Sequence, residues 1–583
     1  MGIPKLKGPE PTLRSLGDGK RFDFKWVIIG VSIFVVMYFA VIPLVFLIWQ
    51  SFMTPATLKT EATFTLGNYV RAYTDPEILG LFSNSFIYAV GTCCISFIIG
   101  TLLAWLNERT NTPFKSLFYA LSIIPLIIPG ILFTVAWVFL ASPDIGILNT
   151  VLQTIFNTDK VFFDVYSMGG MIWVEGLHYS PMAFLLMTAA FRSMDPSLEE
   201  SAMMSGANIG QIAYQITMKL SWPAIFATLL IMFVRAIESF EVPALLGLPV
   251  GIKVFTSSIY DAIHQYPSDI GLASSYAITI LAITTLGVYF QSKISSKGNK
   301  YSTMTGKGFR PRQMDLGKWR FLAAGIIIIY FSLIVLLPFL VLVWSSLQGY
   351  YQTPSLAALK NITFENYKFI FEYPTVGRSA WNSILLSLSS ATIIMLLTAV
   401  ICWIVVKTQI RGRWLLDNIA SLPMVFPGLV LGLSIMFVYL NFDIGVYGTI
   451  WILFFAYITR FMPYGLRYNT TSMLQIHKEL EESAAMSGAT WGTTFKKVVL
   501  PLLKSGFVSG WIYIVIVSIR ELSTSILLYS PGSEVISIVM WELWQNGQFA
   551  ELSALGVIFI VFLFILVMVS QYISRKFGVK EAR

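Results

Sequence analysis

Hydrophobic positions in this chain arrive in blocks, and polar segments of very unequal length separate them. About twelve apolar runs can be drawn, at 26–49, 84–106, 117–140, 170–191, 222–246, 271–291, 321–344, 382–405, 414–440, 447–468, 505–528 and 552–573. A helix of about 20 residues crosses roughly 30 Å of hydrocarbon, so each run predicts one spanning helix. Strands of a membrane barrel would instead alternate polar and apolar residues over about 10 positions. The pattern therefore predicts an all-α polytopic membrane protein of about twelve transmembrane helices. Composition agrees: of 583 residues 56% are hydrophobic and only 12% charged, and the mean hydropathy is +0.71. A string of soluble domains is excluded on those figures. The first run follows a basic segment, as a secretory signal would, but it is too long and no small-residue cleavage pattern follows it. It reads as a retained helix. Cys93, Cys94 and Cys402 all fall inside apolar runs, which makes them small packing groups and not disulfide or metal ligands.

Charge fixes orientation. The net charge of +9 could suggest nucleic acid, but the basic residues cluster where membrane topology wants them. Lys5, Lys7, Arg14, Lys20, Arg21 and Lys25 precede the first run. Lys293, Lys297, Lys300, Lys307, Arg310, Arg312, Lys318 and Arg320 follow the sixth. Arg575, Lys576, Lys580 and Arg583 follow the twelfth. An even number of spans separates the three clusters, so all face the cytoplasm under the positive-inside rule. Nucleic acid is not an expected partner; the lipid bilayer is.

The chain also repeats itself. Asn68-Tyr69 returns as Asn366-Tyr367, Asn84-Ser85 as Asn382-Ser383, and Pro125-Leu-Ile-Ile-Pro129-Gly130 as Pro423-Met-Val-Phe-Pro427-Gly428, all offset by 298 residues. LEESAMMSGANIG from Leu198 then returns as LEESAAMSGATWG from Leu480, offset by 282. The difference places about sixteen extra residues in the external loop near 141–169. Six spans per half make this a parallel repeat, with a pseudo-twofold pathway between the halves. The expected organisation is an arm at 1–25, a first transmembrane domain at 26–291, a linker at 292–320 and a second transmembrane domain at 321–583.

The repeated hydrophilic motif lies on the cytoplasmic side, in loops 192–222 and 474–504. Leu-Glu-Glu-Ser-Ala favours helix, and Gly206 or Gly488 ends it, since glycine adopts the left-handed conformation without steric cost. Glu199, Glu200, Glu481 and Glu482 fall in the first turns, where carboxylates suit the positive helix end. Two copies at equivalent positions call for a partner that is itself twofold; one copy alone would read as a solvated loop helix. Both segments resemble the EAA loop of ABC-importer permeases. The second copy matches at Glu482, Ala484, Gly488 and Leu500-Pro501. The first matches at Glu200, Ala202 and Gly206, with Lys219 where the proline would stand and Pro223 later. Two six-span halves fused head to tail are similar to the iron(III)-type permeases, as is the stretch Glu238-Ser-Phe-Glu-Val-Pro-Ala-Leu-Leu-Gly.

That resemblance implies an inner-membrane permease moving solute by ATP-driven alternating access. Its partners would be two ABC ATPase subunits on the cytoplasmic side and an extracytoplasmic solute-binding protein. ATP and Mg would sit on the ATPase subunits, leaving this chain without a cofactor. Ferric iron is the implied cargo; thiamine, 2-aminoethylphosphonate and polyamine importers share the plan. The residues themselves agree that the engine lies elsewhere. Gly306-Lys307 and Gly317-Lys318 lack the other positions of a phosphate-binding loop. His178, His264 and His477 are the only histidines, and no nucleophilic or metal-ligand constellation accompanies them. An ion-coupled secondary transporter also has six plus six helices, but it would have no use for a doubled cytoplasmic motif, and a membrane enzyme lacks its catalytic cluster.

Charges inside the spans are the remaining candidates, because an ionised side chain at mid-bilayer costs about 2.5–3.5 kcal/mol on insertion scales. Glu175 and His178 lie in span four, Arg235, Glu238 and Glu241 in span five, Arg460 in span ten, and Arg520 and Glu521 in span eleven. The 282 offset aligns Glu238 with Arg520 and His178 with Arg460, which suggests pairing across the two halves. Arg235 and Glu238 are also three apart and suited to pair along one helix. Such residues serve either as structural pairs or as lining of the solute path, and Glu241, without an evident cation, is the foremost path candidate. Pro125, Pro129, Pro423 and Pro427 are expected to kink or unwind spans three and nine.

Overall fold

The computed structural model describes residues 24–54, 61–194, 197–298, 313–442 and 444–576. The basic residues of the N-terminal arm up to Arg21, those at 299–312 of the linker, and the tail from 577 onward lie outside the described residues. Six helices are long and apolar enough to cross a membrane unbroken: Trp26–Ser51, Ile78–Arg109, Ile270–Ile294, Trp319–Ser346, Pro374–Lys407 and Phe549–Ile573. They are spans one, two, six, seven, eight and twelve. Spans four and ten are the helices Met168–Ser193 and Ile450–Met473, long but punctuated by polar residues.

The other four spans are broken. Span three is Lys115–Ile127 and Gly130–Ala141, bent by 98°; span nine is Arg413–Val425 and Gly428–Asn441, bent by 109°. The breaks fall at Pro129 and Pro427, which hold extended backbone at the start of the second helix, where a proline removes a hydrogen bond and excludes the preceding turn. Spans five and eleven are shorter than the apolar pattern predicts. Their helices stop at Glu238 and Ser518, not near 246 and 528. The chain then unwinds and re-enters through Pro243–Val250 and Phe255–His264 in the first half, and through Ile536–Gln545 in the second. Apolarity alone cannot distinguish a span from a buried re-entrant turn, which explains the overshoot.

The repeated sequence pairs hold these irregular segments in place. Asn68 donates to the carbonyls of Ser51 and Met53 at 3.0 and 2.9 Å; Asn366 donates to those of Ser346 and Gln348 at 2.9 and 2.7 Å. Each closes the end of its half's first span. Ser85 accepts from the Phe255 amide at 3.0 Å, and Ser383 from the Ile536 amide at 2.8 Å. Those two bonds anchor the re-entrant helices to spans two and eight at helix starts that lack intrahelical partners.

Within each half the second span packs on the fourth, and the contact depends on a glycine. A Cβ on Gly100 would come within 2.6 Å of the Ala183 Cβ, and one on Gly465 within 2.8 Å of Thr398 Oγ1. The repeat offsets equate Gly100 with Thr398 and Ala183 with Gly465, so the missing side chain has changed helices while the close approach persists. Small residues at such crossings let backbones approach where lipid offers no hydrophobic drive. The halves also clasp each other. Span one packs on span nine, with Tyr38 bonded to Tyr439 at 2.8 Å. Span seven packs on span three, and Tyr330 bonds Ser180 at 3.0 Å.

Gly100→Thr is expected to destabilise by about 1–3 kcal/mol through overpacking. Adding Ala183→Gly, which reproduces the second half's arrangement, recovers most of that loss. Tryptophan-monitored thermal unfolding of the detergent-purified protein measures both; equal Tm values for the single and double variants would refute the exchange.

Candidate functional site

Two features stand apart from ordinary packing: the paired LEESA helices at one end of the bundle and a polar cavity in its interior. The LEESA helices are Ser197–Met204 and Lys478–Met486. Each is closed by a glycine in left-handed conformation, Gly206 at φ +85° and Gly488 at φ +79°. The closing bonds match: Gly206 donates to Met203 and Ala207 to Ala202, while Gly488 donates to Ala485 and Ala489 to Ala484. This is the glycine stop in which two orphan carbonyls are satisfied by the amides beyond the helix. Asn208 and Thr490 then cap the next helix.

The chain leaves both loops through the same elbow. Ile209–Leu220 meets Trp222–Glu238 at 73°, and Trp491–Leu502 meets Lys504–Ser518 at 72°. Pro501 lies just before its elbow and Pro223 just after the other, so Lys219 in place of a proline leaves the exit geometry intact.

The adjacent glutamates do not share one environment. Glu199 is buried, with its carboxylate 3.3 Å from Arg109 and a bond from Thr217 at 2.5 Å. Glu481 lies 3.7 Å from Lys407 and accepts from Trp403 Nε1 at 2.9 Å. Both turn inward, toward the end of the second span of their own half. Glu200 is half-buried and Glu482 exposed; Glu482 pairs with Lys478 at 3.0 Å. Ala202 and Ala484 are half-buried, while Leu198, Met204, Leu480 and Met486 stand exposed. The outward face is thus a small apolar ridge beside a carboxylate, presented twice.

In the interior, Glu175, His178, Tyr179, Arg235, Glu238, Ser239, Phe240, Glu241, Arg460 and Ser523 line a cavity of about 100 Å³. Most of the intramembrane charges expected from sequence therefore meet there, at the unwound ends of the broken spans. Arg235 pairs with Glu238 at 3.3 Å along one helix and reaches across the halves to Tyr464 at 2.9 Å. The expected pairing of Glu238 with Arg520 and of His178 with Arg460 is not what forms. Arg460 pairs with Glu521 at 3.3 Å and donates to the Phe426 carbonyl at 3.3 Å. Arg520 donates to the Leu126 carbonyl. Both carbonyls belong to the broken stretches of spans nine and three. An arginine can satisfy a freed carbonyl and a carboxylate together because its donors fork, and that need outweighs the simple attraction of opposite charges. Glu521 in turn accepts from the Thr524 amide and hydroxyl at 3.0 and 2.9 Å.

Glu241 lies beyond the end of the span in which sequence placed it, and it forms no salt bridge among the described residues. Its carboxylate rests against Gly130, where a Cβ would collide with Oε2 and stand 3.5 Å from His178 Nε2. Gly130 begins the helix Gly130–Ala141, whose positive end faces the carboxylate. At the equivalent Gly428 the neighbours are the Arg460 guanidinium and Ser523, the counterpart of Glu241. One half thus brings an anion to the broken span and the other a cation.

Sequence reasoning missed Arg109, Lys407, Trp403, Thr217 and Tyr464. A signal existed for the first two: a cation closes span two and another span eight, 298 residues apart. Among the described residues no group of three or more His, Cys, Asp or Glu is arranged to hold a metal ion.

A family model described as "Binding-protein-dependent transport system inner membrane component" matches residues 96–300 and 406–578. The ferric transport system permease protein FbpB of Actinobacillus pleuropneumoniae is 25% identical over 512 residues, covering 86% of this chain and 71% of its own length. Fe(3+)-transport system permease protein FbpB 2 of Haemophilus influenzae is 22% identical over 472 residues, covering 80% and 84%.

Removing one partner of a buried ion pair costs about 3–5 kcal/mol because the other charge stays behind uncompensated. Arg460→Met is expected to show that loss, and Arg460→Met with Glu521→Gln a smaller one. The fraction of monodisperse protein after mild heating compares them; equal losses would argue against the pair.

Proposed function

Because the chain belongs to the family of binding-protein-dependent transport system inner membrane components, we propose that it forms the translocation pathway through which an ABC importer moves ferric iron. The family is one of multi-pass permeases. Both halves of the pathway lie on one polypeptide in this reading, which the two family matches and the repeat support. The observation that carries the cargo is the resemblance, over most of the chain, to permeases named for ferric transport.

The reading assigns the LEESA face to the cytoplasm, with both termini on that side, following the basic clusters. Two ATPase subunits, holding ATP and Mg, dock on Glu200, Met204 and Gly206 and on Glu482, Met486 and Gly488. A solute-binding protein delivers iron to the opposite mouth. Closure of the ATPase pair rocks the halves about the pseudo-twofold axis, and the broken spans are where the bundle bends. The interior cavity lies on the path, and Glu241 supplies a carboxylate that no salt bridge among the described residues occupies. In this division the binding protein selects the cargo and the path needs only to let it pass.

The test is uptake of radiolabelled Fe(III), presented by its binding protein, into proteoliposomes containing this chain and its ATPase subunits. Uptake is expected to require ATP and to resist competition by thiamine, 2-aminoethylphosphonate and spermidine. ATP-driven uptake of one of those solutes in place of iron would reassign the cargo. Concentrative uptake by this chain alone would refute the importer mechanism. Gly206→Val with Gly488→Val forces left-handed backbone on a branched residue, at about 1–2 kcal/mol per site, and is expected to abolish ATPase co-purification. Glu241→Gln is expected to leave that co-purification intact and to lower uptake about tenfold, on the order of one lost charge-assisted contact; wild-type uptake would remove Glu241 from the path.

A further inference from the structure

The inward-turned glutamates, Glu199 and Glu481, are not needed for a docking face that points outward. They share a second relation instead. Each is bound by the cation that terminates the longest helix of its half, Arg109 of Ile78–Arg109 or Lys407 of Pro374–Lys407. The cations are 298 residues apart and the glutamates 282, the two offsets of the repeat. The same tie has therefore been kept in both halves although the cation and its surroundings differ.

Each tie is also wired to the backbone around it. Arg109 donates to the carbonyls of Phe191 and Met194 at 2.7 and 3.1 Å, where span four ends. Lys407 donates to the Ile476 carbonyl, just before the second LEESA helix begins at Lys478. A charge-assisted bond that engages both a helix end and a loop transmits displacement between them, which an exposed pair at water's dielectric does not.

We propose that Arg109 and Lys407 are positioning residues that seat the two docking helices and make spans two and eight move with them. This rests on the reading of the LEESA helices as ATPase docking sites. The two latches are unequal. In the first half both side chains are 3% exposed, and Glu108 beside Arg109 binds Arg192 at the end of span four through two bonds of 2.9 and 3.0 Å. The linker reinforces it: Met314 donates to the Arg109 carbonyl and accepts from the Asn111 amide. The second latch has a lysine, a longer gap and no counterpart of the Glu108 bridge, since Val406 and Leu474 occupy those positions. The first docking helix is fixed to its half, and the second is the one with room to adjust.

The experiment uses the full complex with its ATPase subunits in lipid nanodiscs. Spin labels are placed at Gly80→Cys and Gly377→Cys, near the far ends of the two long helices, where added side chains meet open space. Cys93, Cys94 and Cys402 are replaced by Ala. In Lys407→Met, ATPase co-purification and ATP hydrolysis should stay within about twofold of wild type, while the ATP-driven change in label separation falls at least about threefold, a loss of coupling and not of binding. Lys407→Arg should restore it, and Arg109→Gln, which breaks the tighter latch, should lower the label movement at least as far as Lys407→Met does. Unchanged label movement in Lys407→Met, or movement and hydrolysis falling in proportion, would overturn the latch while leaving the importer reading standing. A wild-type complex that neither assembles nor hydrolyses ATP would overturn the importer reading and the latch with it.

Discussion

A backbone carbonyl released from a helix inside a membrane protein has no water to turn to, and leaving it unpaired costs several kcal/mol. This chain breaks four of its spans, so it must supply partners for the groups the breaks release. The partners are specific. Thr284 of span six donates to the Val425 carbonyl at 2.9 Å, Arg460 to that of Phe426, and Arg520 to that of Leu126. At the unwound ends of spans five and eleven, Thr256 donates to the Ser239 carbonyl at 2.6 Å and Ser537 to that of Glu521 at 2.7 Å. The charges in the apolar spans follow from this requirement. Arg460 and Arg520 satisfy carbonyls, and Glu521 neutralises Arg460. A polar cavity at the junction, lined from both halves, is the consequence.

That logic also separates what the sequence made legible from what it concealed. Block length read the straight spans closely, because twenty apolar residues have one economical conformation in lipid. The proline-glycine pairs announced the breaks in spans three and nine, since proline acts on the backbone locally. The ends of spans five and eleven were hidden: residues such as Val242, Leu245 and Leu246 are as apolar as any span, yet they are buried in a re-entrant turn. The helix stops at Gly206 and Gly488 were legible because one residue decides them. The pairing of Arg460 and Arg520 was not, because their acceptors include carbonyls, which carry no letter in the sequence. Sequence offsets pair side chains with side chains and overlook that competition.

The repeat shows which features each half had to keep and which it was free to lose. Asn68 and Asn366, or Ser85 and Ser383, perform the same bond at the same place, because a frayed span end has few other remedies. The crossing of the second and fourth spans kept its closeness but let the glycine move between helices, since only the sum of the two side chains matters there. The interior broke symmetry altogether. Glu241 faces the start of one helix, and Arg460 the start of its counterpart. A fused chain can do this, whereas a homodimer of one half cannot, because symmetry would force the same charge on both sides.

The split between adjacent glutamates bears on how two separate demands fit in one short helix. A docking face must be open enough to receive a partner, while a lever must be fixed to what it moves. On a helix, neighbouring residues point about 100° apart, so Glu199 and Glu200 cannot serve the same face, and nor can Glu481 and Glu482. The inner member of each pair is matched to a cation on its own long helix; the outer one is left to solvent or to Lys478. Doubling the acid within the motif thus commits one carboxylate to the protein's own fold and leaves the other on the outward side of the helix. A single glutamate could not occupy both places, which is a physical reason for the motif to carry two.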